Sequence, residues 1–325
     1  MDTGYSIPID AVIAWVDGND PAHKLKRRKY GRKEELDNDE VGGDIRFTSI
    51  GEIKYCVASI LRFAPYVRTI YIVTDGQNPC VDSFVDRHFP NRKTRIEIVD
   101  HHVLYEGYED FLPVFNSLSI ETLLYRIPGL SEQFIYLNDD FMIVSSTTPE
   151  TFFRNGKAVC YASRFSVPFA KLVRAIKPKR KGHKIFGFKD SMVNAADAAG
   201  EKWTFPYIGH MPLALKKSVL KEFYQSHQDL FVANIKPRFR EPNQFNPQVL
   251  FYILAERSGE CVVVSRKGTD LYVKPKDKNG YMKRKLAEFD RSGTALFCCF
   301  NSLDYASEED KNLAIKWLEK RIGLD

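Results

Sequence analysis

Three short apolar runs in the first half of the chain each end on an acidic turn, and this recurrence restricts the fold more than any other feature. Asp10–Val16 (DAVIAWV) runs into Asp17-Gly18-Asn19-Asp20, Thr69–Thr74 (TIYIVT) into Asp75-Gly76, and Phe134–Leu137 (FIYL) into Asn138-Asp139-Asp140. Short β-branched and aromatic runs bounded by turn residues suit buried strands. A fourth strand is expected at Arg95–Val99 and another at Cys261–Val264.

Helical patterns lie between the strands. Ser49 and Glu52 read as a capping box. Behind them Ile53, Val57, Ile60, Leu61 and Ala64 recur at helical spacing until Pro65 ends the pattern. A second helix is expected over Ser117–Tyr125, stopped by Pro128-Gly129. A closing helix follows the acidic start Ser307-Glu308-Glu309-Asp310, with Gly323 as its C-cap, and is expected to pack on the sheet. Lys24 to Asp44 is a charged loop or exposed helix. Strand and helix in alternation imply an α/β fold with a mostly parallel sheet flanked by helices, and functional groups then gather beyond the carboxyl ends of the strands.

The chain has 325 residues, 44% hydrophobic and 28% charged, enough for one large domain or two small ones. No run of eighteen apolar residues marks a membrane span. The opening MDTGYSIPIDAV lacks the basic-then-apolar order of a secretory signal, so a cytoplasmic protein is expected. Six cysteines include no CxxC pair, which suggests reduced, mostly buried thiols rather than a zinc site. The net charge of +6 is local. One cluster is Lys177, Lys179, Arg180, Lys181 and Lys184, within residues 177–190 read as a mobile basic loop. The other is Lys274, Lys276, Lys278, Lys283, Arg284 and Lys285. Two such clusters allow an anionic partner: nucleic acid, a polyanionic glycan or an anionic membrane surface. No basic aromatic repeat supports the first.

Few residues suggest chemistry on their own. Asp139-Asp140 follows a strand and suits a hard divalent cation, although for such a pair taken alone a plain acidic turn is the better reading. Glu121 sits on the helix after Asn116-Ser117. His210, in Gly209-His210-Met211-Pro212, has a side chain suited to proton transfer. Arg240, in Arg238-Phe239-Arg240-Glu241, can clamp phosphate oxygens. No Walker loop, GxGxxG, GxSxG or HExxH motif occurs. The residues alone support an α/β protein with an acidic cleft.

Four segments carry a resemblance. They are Ile9–Pro21 (IDAVIAWVDGNDP); Arg46–Pro79, with its continuation Phe115–Ile143; Gly209–Pro212, with Arg238–Ile253; and Phe297–Gly323. Together they resemble the Stealth family of sugar-1-phosphate transferases, which includes bacterial capsule polysaccharide phosphotransferases and the animal N-acetylglucosamine-1-phosphotransferase. The resemblance implies a single catalytic domain over residues 1–325, with a donor-binding half to about 150 and an acceptor half beyond. It implies a GT-A-like, Rossmann-type nucleotide-sugar-transferase fold, with the basic loop as an insertion. It implies transfer of sugar-1-phosphate from a UDP-sugar to a hydroxyl of a growing capsule glycan, with release of UMP and with Mg²⁺ or Mn²⁺ as cofactor.

The family's active-site residues fall on Glu121, Asp140, His210 and Arg240. Asp139 and Asp140 are the expected metal ligands, and Asp17, Gly18, Arg46, Asp75 and Asn116 the expected substrate contacts. Expected partners are the UDP-sugar and a phosphodiester-linked glycan, at the inner face of the membrane or beside the capsule-export machinery, and not nucleic acid. The fourth segment departs from the family, carrying Asn301-Ser302-Leu303-Asp304 where relatives tend to have Asn-Asp. A glycosyltransferase that releases UDP and a non-catalytic polyanion-binding module are the rival readings.

Overall fold

Both faces of a parallel sheet are covered by helices, so its strands are apolar throughout rather than alternating. The strand Ile9–Ala14 (β1) is of this kind apart from Asp10, with Ala11, Val12 and Ile13 fully buried. The computed structural model describes residues 7–37, 51–176, 187–275 and 280–324. In it β1 lies between two parallel neighbours, Val67–Thr74 (β2) and Gln133–Asn138 (β4). Arg95–Asp100 (β3) adds outside β2, also parallel.

The sheet order is β3-β2-β1-β4-β9. The edge strand β9, Leu213–Lys216, runs antiparallel to β4. From β1 the chain moves outward through β2 and β3, then returns across β1 to form β4. The direction of winding therefore reverses between β1 and β4, where such sheets open a crevice at the carboxyl ends of their strands. Ala14 and Asn138 are register partners there, so the turns after β1 and β4 leave the sheet side by side.

Two smaller sheets complete the fold. Phe141–Ile143 (β5) leaves the Asn138-Asp139-Asp140 turn and pairs antiparallel with Phe297–Phe300 (β12), which pairs parallel with Asp270–Val273 (β11). The long strand Lys157–Ser166 (β7) pairs with Phe153–Arg154 (β6), Thr204–Ile208 (β8) and Cys261–Ser265 (β10). One continuous hydrophobic core joins all three sheets, from Ile9 to Ile322.

Several expectations shift on inspection. The first strand ends at Ala14, so Trp15 and Val16 belong to the loop. The helix after the first loop is Glu52–Phe63, and its N-cap is Gly51 at φ +88°. Glycine tolerates that left-handed conformation. Ser49 lies outside the described residues, and the cap falls two positions later than the capping box predicted. The closing helix, Glu308–Ile322, has the expected ends: Ser307 accepts from Asp310 N, and Gly323 is left-handed. It packs on helices Glu52–Phe63 and Tyr281–Ser292, where Tyr55 Oη reaches Glu319 at 2.8 Å and Trp317 Nε1 reaches Asp290 at 3.0 Å, and it meets the small sheet where Trp317 lies 6.1 Å from the Phe300 ring of β12. Of the stretch read as a basic loop, residues 188–190 already belong to the helix Phe188–Ala198. Residues 177–186 lie outside the described part, as do Lys276 and Lys278. Cys56, Cys160, Cys298 and Cys299 are buried thiols, while Cys80 is exposed and Cys261 partly so.

Candidate active site

A cavity of about 410 Å³ opens at the winding reversal, beyond the carboxyl ends of β1 and β4. Glu121, Asp139, Asp140, His210 and Arg240 all line it. They come from the helix Ser117–Leu123, the β4–β5 turn, the β8–β9 loop and the loop before the helix Pro247–Arg257.

Asn116 explains how the first and last of these meet. It caps the helix Ser117–Leu123, its Oδ1 accepting from Leu118 N at 3.2 Å. Its Nδ2 donates to the carbonyls of Pro237 and Phe239 and to Gln244 Oε1 at 2.7 Å. One buried amide therefore ties the Arg240 loop to the helix that carries Glu121. Arg240 in turn donates to Ser117 Oγ at 3.0 Å, one helical turn before Glu121. The sequence reading gave Asn116 a substrate contact; it lines the cavity, and its side-chain amide holds the cavity wall together.

Glu121 is buried, yet both carboxylate oxygens are met. Tyr136 Oη donates to one at 2.8 Å and Gln248 Nε2 to the other at 3.1 Å. Tyr136 comes from β4 and Gln248 from the helix Pro247–Arg257, so three elements fix the carboxylate's position. Tyr136 Oη also lies 2.6 Å from Asn138 Oδ1, which links Glu121 to the turn bearing Asp139 and Asp140.

That turn is crowded with negative charge. Burial, Glu52 and Asp140 push the Asp139 carboxyl well above its usual range. Burial also raises Asp140, against hydrogen bonds from Cys299 and Asn301 that favour its ionised form. Cys299 Sγ donates to Asp140 Oδ2 at 3.3 Å, and Phe300 N donates to the Asp140 carbonyl. The end of β12 thus buttresses the acidic turn. Asn301 and Asp304, which the two intervening residues separate in sequence, both line the cavity.

Among the described residues no three His, Cys, Asp or Glu side chains are grouped to hold a metal by themselves. Two adjacent carboxylates are nonetheless the usual protein share of a magnesium site whose remaining ligands are water and substrate phosphates. All their donors are oxygens, and a cation there would relieve the crowding of Glu52, Asp139 and Asp140. Asp139 and Asp140 therefore fit such an ion.

His210 is held by rings rather than hydrogen bonds. Phe188 and Tyr272 lie 4.9 and 5.0 Å away, and Phe141 stands edge-on at 6.1 Å. Burial, with Arg266 and Lys274 nearby, lowers its pKa to about 4. The Arg266 guanidinium packs so closely on Gly209 that a Cβ there would meet it at 2.9 Å. The imidazole is thus neutral at physiological pH and able to accept a proton.

Asp17, Gly18 and Asp75 are not part of the cavity lining. Asp17 closes its own turn, Oδ1 accepting from Asn19 N at 2.8 Å, and Gln77 brackets its backbone. Asp75 pairs with Lys26 at 3.2 Å. Arg46 lies outside the described residues. The sequence reading missed His23 and His101, which line the end of the cavity beside Trp15 and Val73. Burial lowers His101 to about 4, and the carboxylates of Asp75 and Asp100 oppose this only in part. No local motif marks either histidine.

Residues 8–35 match conserved region 1 of the Stealth proteins, and residues 46–160 match their conserved region 2. The chain belongs to the Stealth family. Region 2 of this Stealth chain contains Glu121, Asp139 and Asp140, whereas His210 and Arg240 lie beyond both matched regions.

The chain is 34% identical over 247 residues to an exopolysaccharide phosphotransferase of Streptomyces coelicolor, a match that covers 76% of this chain and 43% of the relative. It thus spans less than half the length of that protein. It is 27% identical to an exopolysaccharide phosphotransferase of Lactiplantibacillus plantarum, over 96% of this chain and 93% of the relative. Among solved structures it is similar to the bifunctional glycosyltransferase WbbM, with a TM-score of 0.50 at 8% identity, over 99% of this chain and 50% of that one. That likeness concerns the fold, and the Stealth chain has the GT-A-like α/β architecture its sequence implied.

Proposed function

We propose that this chain transfers sugar-1-phosphate from a UDP-sugar, of the N-acetylhexosamine class, to a hydroxyl of a growing capsule or exopolysaccharide glycan. The observation that carries this reading is the meeting of Glu121, Asp140, His210 and Arg240, from four separate segments, around one cavity at the sheet's winding reversal.

The acceptor hydroxyl attacks the sugar-bearing phosphorus of the donor. An O–P bond forms to the acceptor, the phosphoanhydride P–O bond breaks, and UMP leaves with the bridging oxygen. The C1–O bond of the sugar stays intact, so the anomeric configuration is retained. Neutral His210 accepts the hydroxyl proton. Arg240 offsets charge on the transferred phosphoryl group. Glu121, fixed by Tyr136 and Gln248, orients the acceptor hydroxyl. Asp139 and Asp140 would hold Mg²⁺ or Mn²⁺, which supplies charge neutralisation for a bound diphosphate. The end of the cavity lined by Trp15, His23 and His101 takes the nucleoside. Asp17 shapes the loop after β1 on that side, and Asp75 acts there through its field on His23 and His101. A nucleotide-sugar donor places the proposed transfer in the cytoplasm.

The deciding experiment incubates the protein with UDP-sugars, Mg²⁺ and glycan acceptors and separates the nucleotide products by chromatography. UMP is expected. UDP would replace this reading with sugar transfer by a glycosyltransferase. No nucleotide release from any UDP-sugar, together with salt-sensitive glycan binding, would replace it with a polyanion-binding module.

A further inference from the structure

One face of the sheet β11-β12-β5 forms a wall that runs from the acidic turn out to solvent. Phe141 on β5, Cys299 on β12 and Tyr272 on β11 are register partners across its three strands, so their side chains share that face. Phe141 follows Asp140 and lines the cavity, and Cys299 donates to Asp140. Tyr272 stands at the outer end and is 36% exposed. His210 packs on this wall, its ring between Tyr272 and Phe188 at 5.0 and 4.9 Å. Three residues before His210, Tyr207 adds another half-buried ring, 5.7 Å from Phe165. The wall therefore continues past His210 as an aromatic surface at the cavity mouth.

Each ring that encloses His210 has a lysine near it in the chain. Lys189 follows Phe188, and its Nζ lies 5.7 Å from the centre of the Tyr207 ring. Lys274 follows Tyr272 by two residues, the spacing that returns to one side of an extended chain. It lies close enough to His210 for its charge to add to the effects of burial and Arg266 on that imidazole. Both lysines are exposed. Among the described residues neither pairs with an acid, whereas Asp270 on the same strand as Tyr272 is taken by Arg266 at 3.0 Å. The mouth thus combines flat rings with uncompensated positive charge. Aromatic faces suit the C–H face of a pyranose, and exposed ammonium groups suit phosphate oxygens. The donor's diphosphate is assigned to the inner end of the wall, at Asp139 and Asp140, so a phosphate at the mouth belongs to the other substrate.

We propose that Tyr272 and Tyr207, with Lys189 and Lys274, form a subsite for the acceptor segment next to the attacking sugar, and that this segment is a sugar ring together with its phosphodiester. The inference rests on the transfer reaction above for naming that glycan an acceptor. It adds a selectivity: the chain extends a glycan that already carries a phosphodiester in preference to a neutral one.

The test is fluorescence anisotropy with two end-labelled probes and no nucleotide. One probe is a tetramer of N-acetylglucosamine units joined through 1-phosphate diester links; the other is the neutral N-acetylglucosamine tetramer. The unaltered chain should bind the first roughly tenfold or more tighter, and the difference should shrink as salt rises. Lys189→Ala combined with Lys274→Ala should abolish the preference and leave the neutral probe's affinity and the circular dichroism unchanged, because both side chains are exposed. Tyr207→Ala should weaken both probes by a similar factor. Equal affinity of the unaltered chain for the two probes overturns the proposal, as does binding of neither, or an unchanged preference in the lysine variant. Chromatography of the nucleotide products, with the phosphodiester tetramer as acceptor, reads the reaction separately. UMP release without any preference between the probes removes the subsite and leaves the transfer standing. A lysine-dependent preference without UMP release keeps the glycan subsite and removes the transfer.

Discussion

His210 and Arg240 are single polar side chains whose placement is set by neighbours far away in sequence. The His210 ring sits among Phe141, Phe188 and Tyr272, and Arg240 rests on Ser117. His210→Ala and Arg240→Ala are each expected to lower turnover on the order of 10²–10⁴ with circular dichroism unchanged. Wild-type UMP release by either variant would remove that residue's role. His101 offers a test through pH. Its folded pKa of about 4 lies below the ordinary 6.5 because burial disfavours the charged ring. Between those values the unfolded chain takes up a proton that the folded chain refuses. Stability therefore falls as pH drops from 6.5 and the loss levels off near 4, by about 3 kcal/mol in all. Urea midpoints across that window should fall less steeply in His101→Leu than in the unaltered chain; parallel slopes would contradict the burial argument.

At the scale of elements, the helix Ser117–Leu123 has only seven residues and cannot be stable by propensity alone. Its position depends on the Asn116 cap and on the buried hydrogen bonds from that amide to the 237–244 segment. Asn116→Ala should therefore cost on the order of 2–4 kcal/mol in urea denaturation, more than an isolated cap, because it leaves buried acceptors without donors. It should also depress activity beyond its effect on folded population, since Arg240 loses its tether. An activity loss matched by the loss of folded protein would show that the tether does nothing for the site.

For the whole molecule, one buried carboxylate joins three strands of the central sheet. Asp10 on β1 accepts from Arg68 on β2 at 2.9 and 2.6 Å, and from Ser131 N just before β4 at 2.7 Å. Arg68→Ala leaves Asp10 buried without its cation and should destabilise the protein by about 2–3 kcal/mol, measured by the shift in denaturation midpoint. This tie holds β2 and β4 on either side of β1, the arrangement that creates the crevice between the β1 and β4 turns.

Much of the central sheet was legible because its signals are local. A buried parallel strand is mostly apolar, and a turn beyond it must carry residues that tolerate exposed backbone; β1, β2 and β4 show both within a dozen residues each. The strands β7, β8, β9, β11 and β12 were less legible, because they carry no comparable apolar run ending on an acidic turn and their strand form depends on cross-strand neighbours. The acidic turn, the helix with Glu121 and the isolated His210 and Arg240 were visible as residue types, and family likeness grouped them. Their meeting at one cavity needed the winding reversal between β1 and β4 and the Asn116 amide, neither of which any local window contains. The same holds for His101, an ordinary histidine in sequence whose charge is suppressed only once the tertiary structure has removed it from water.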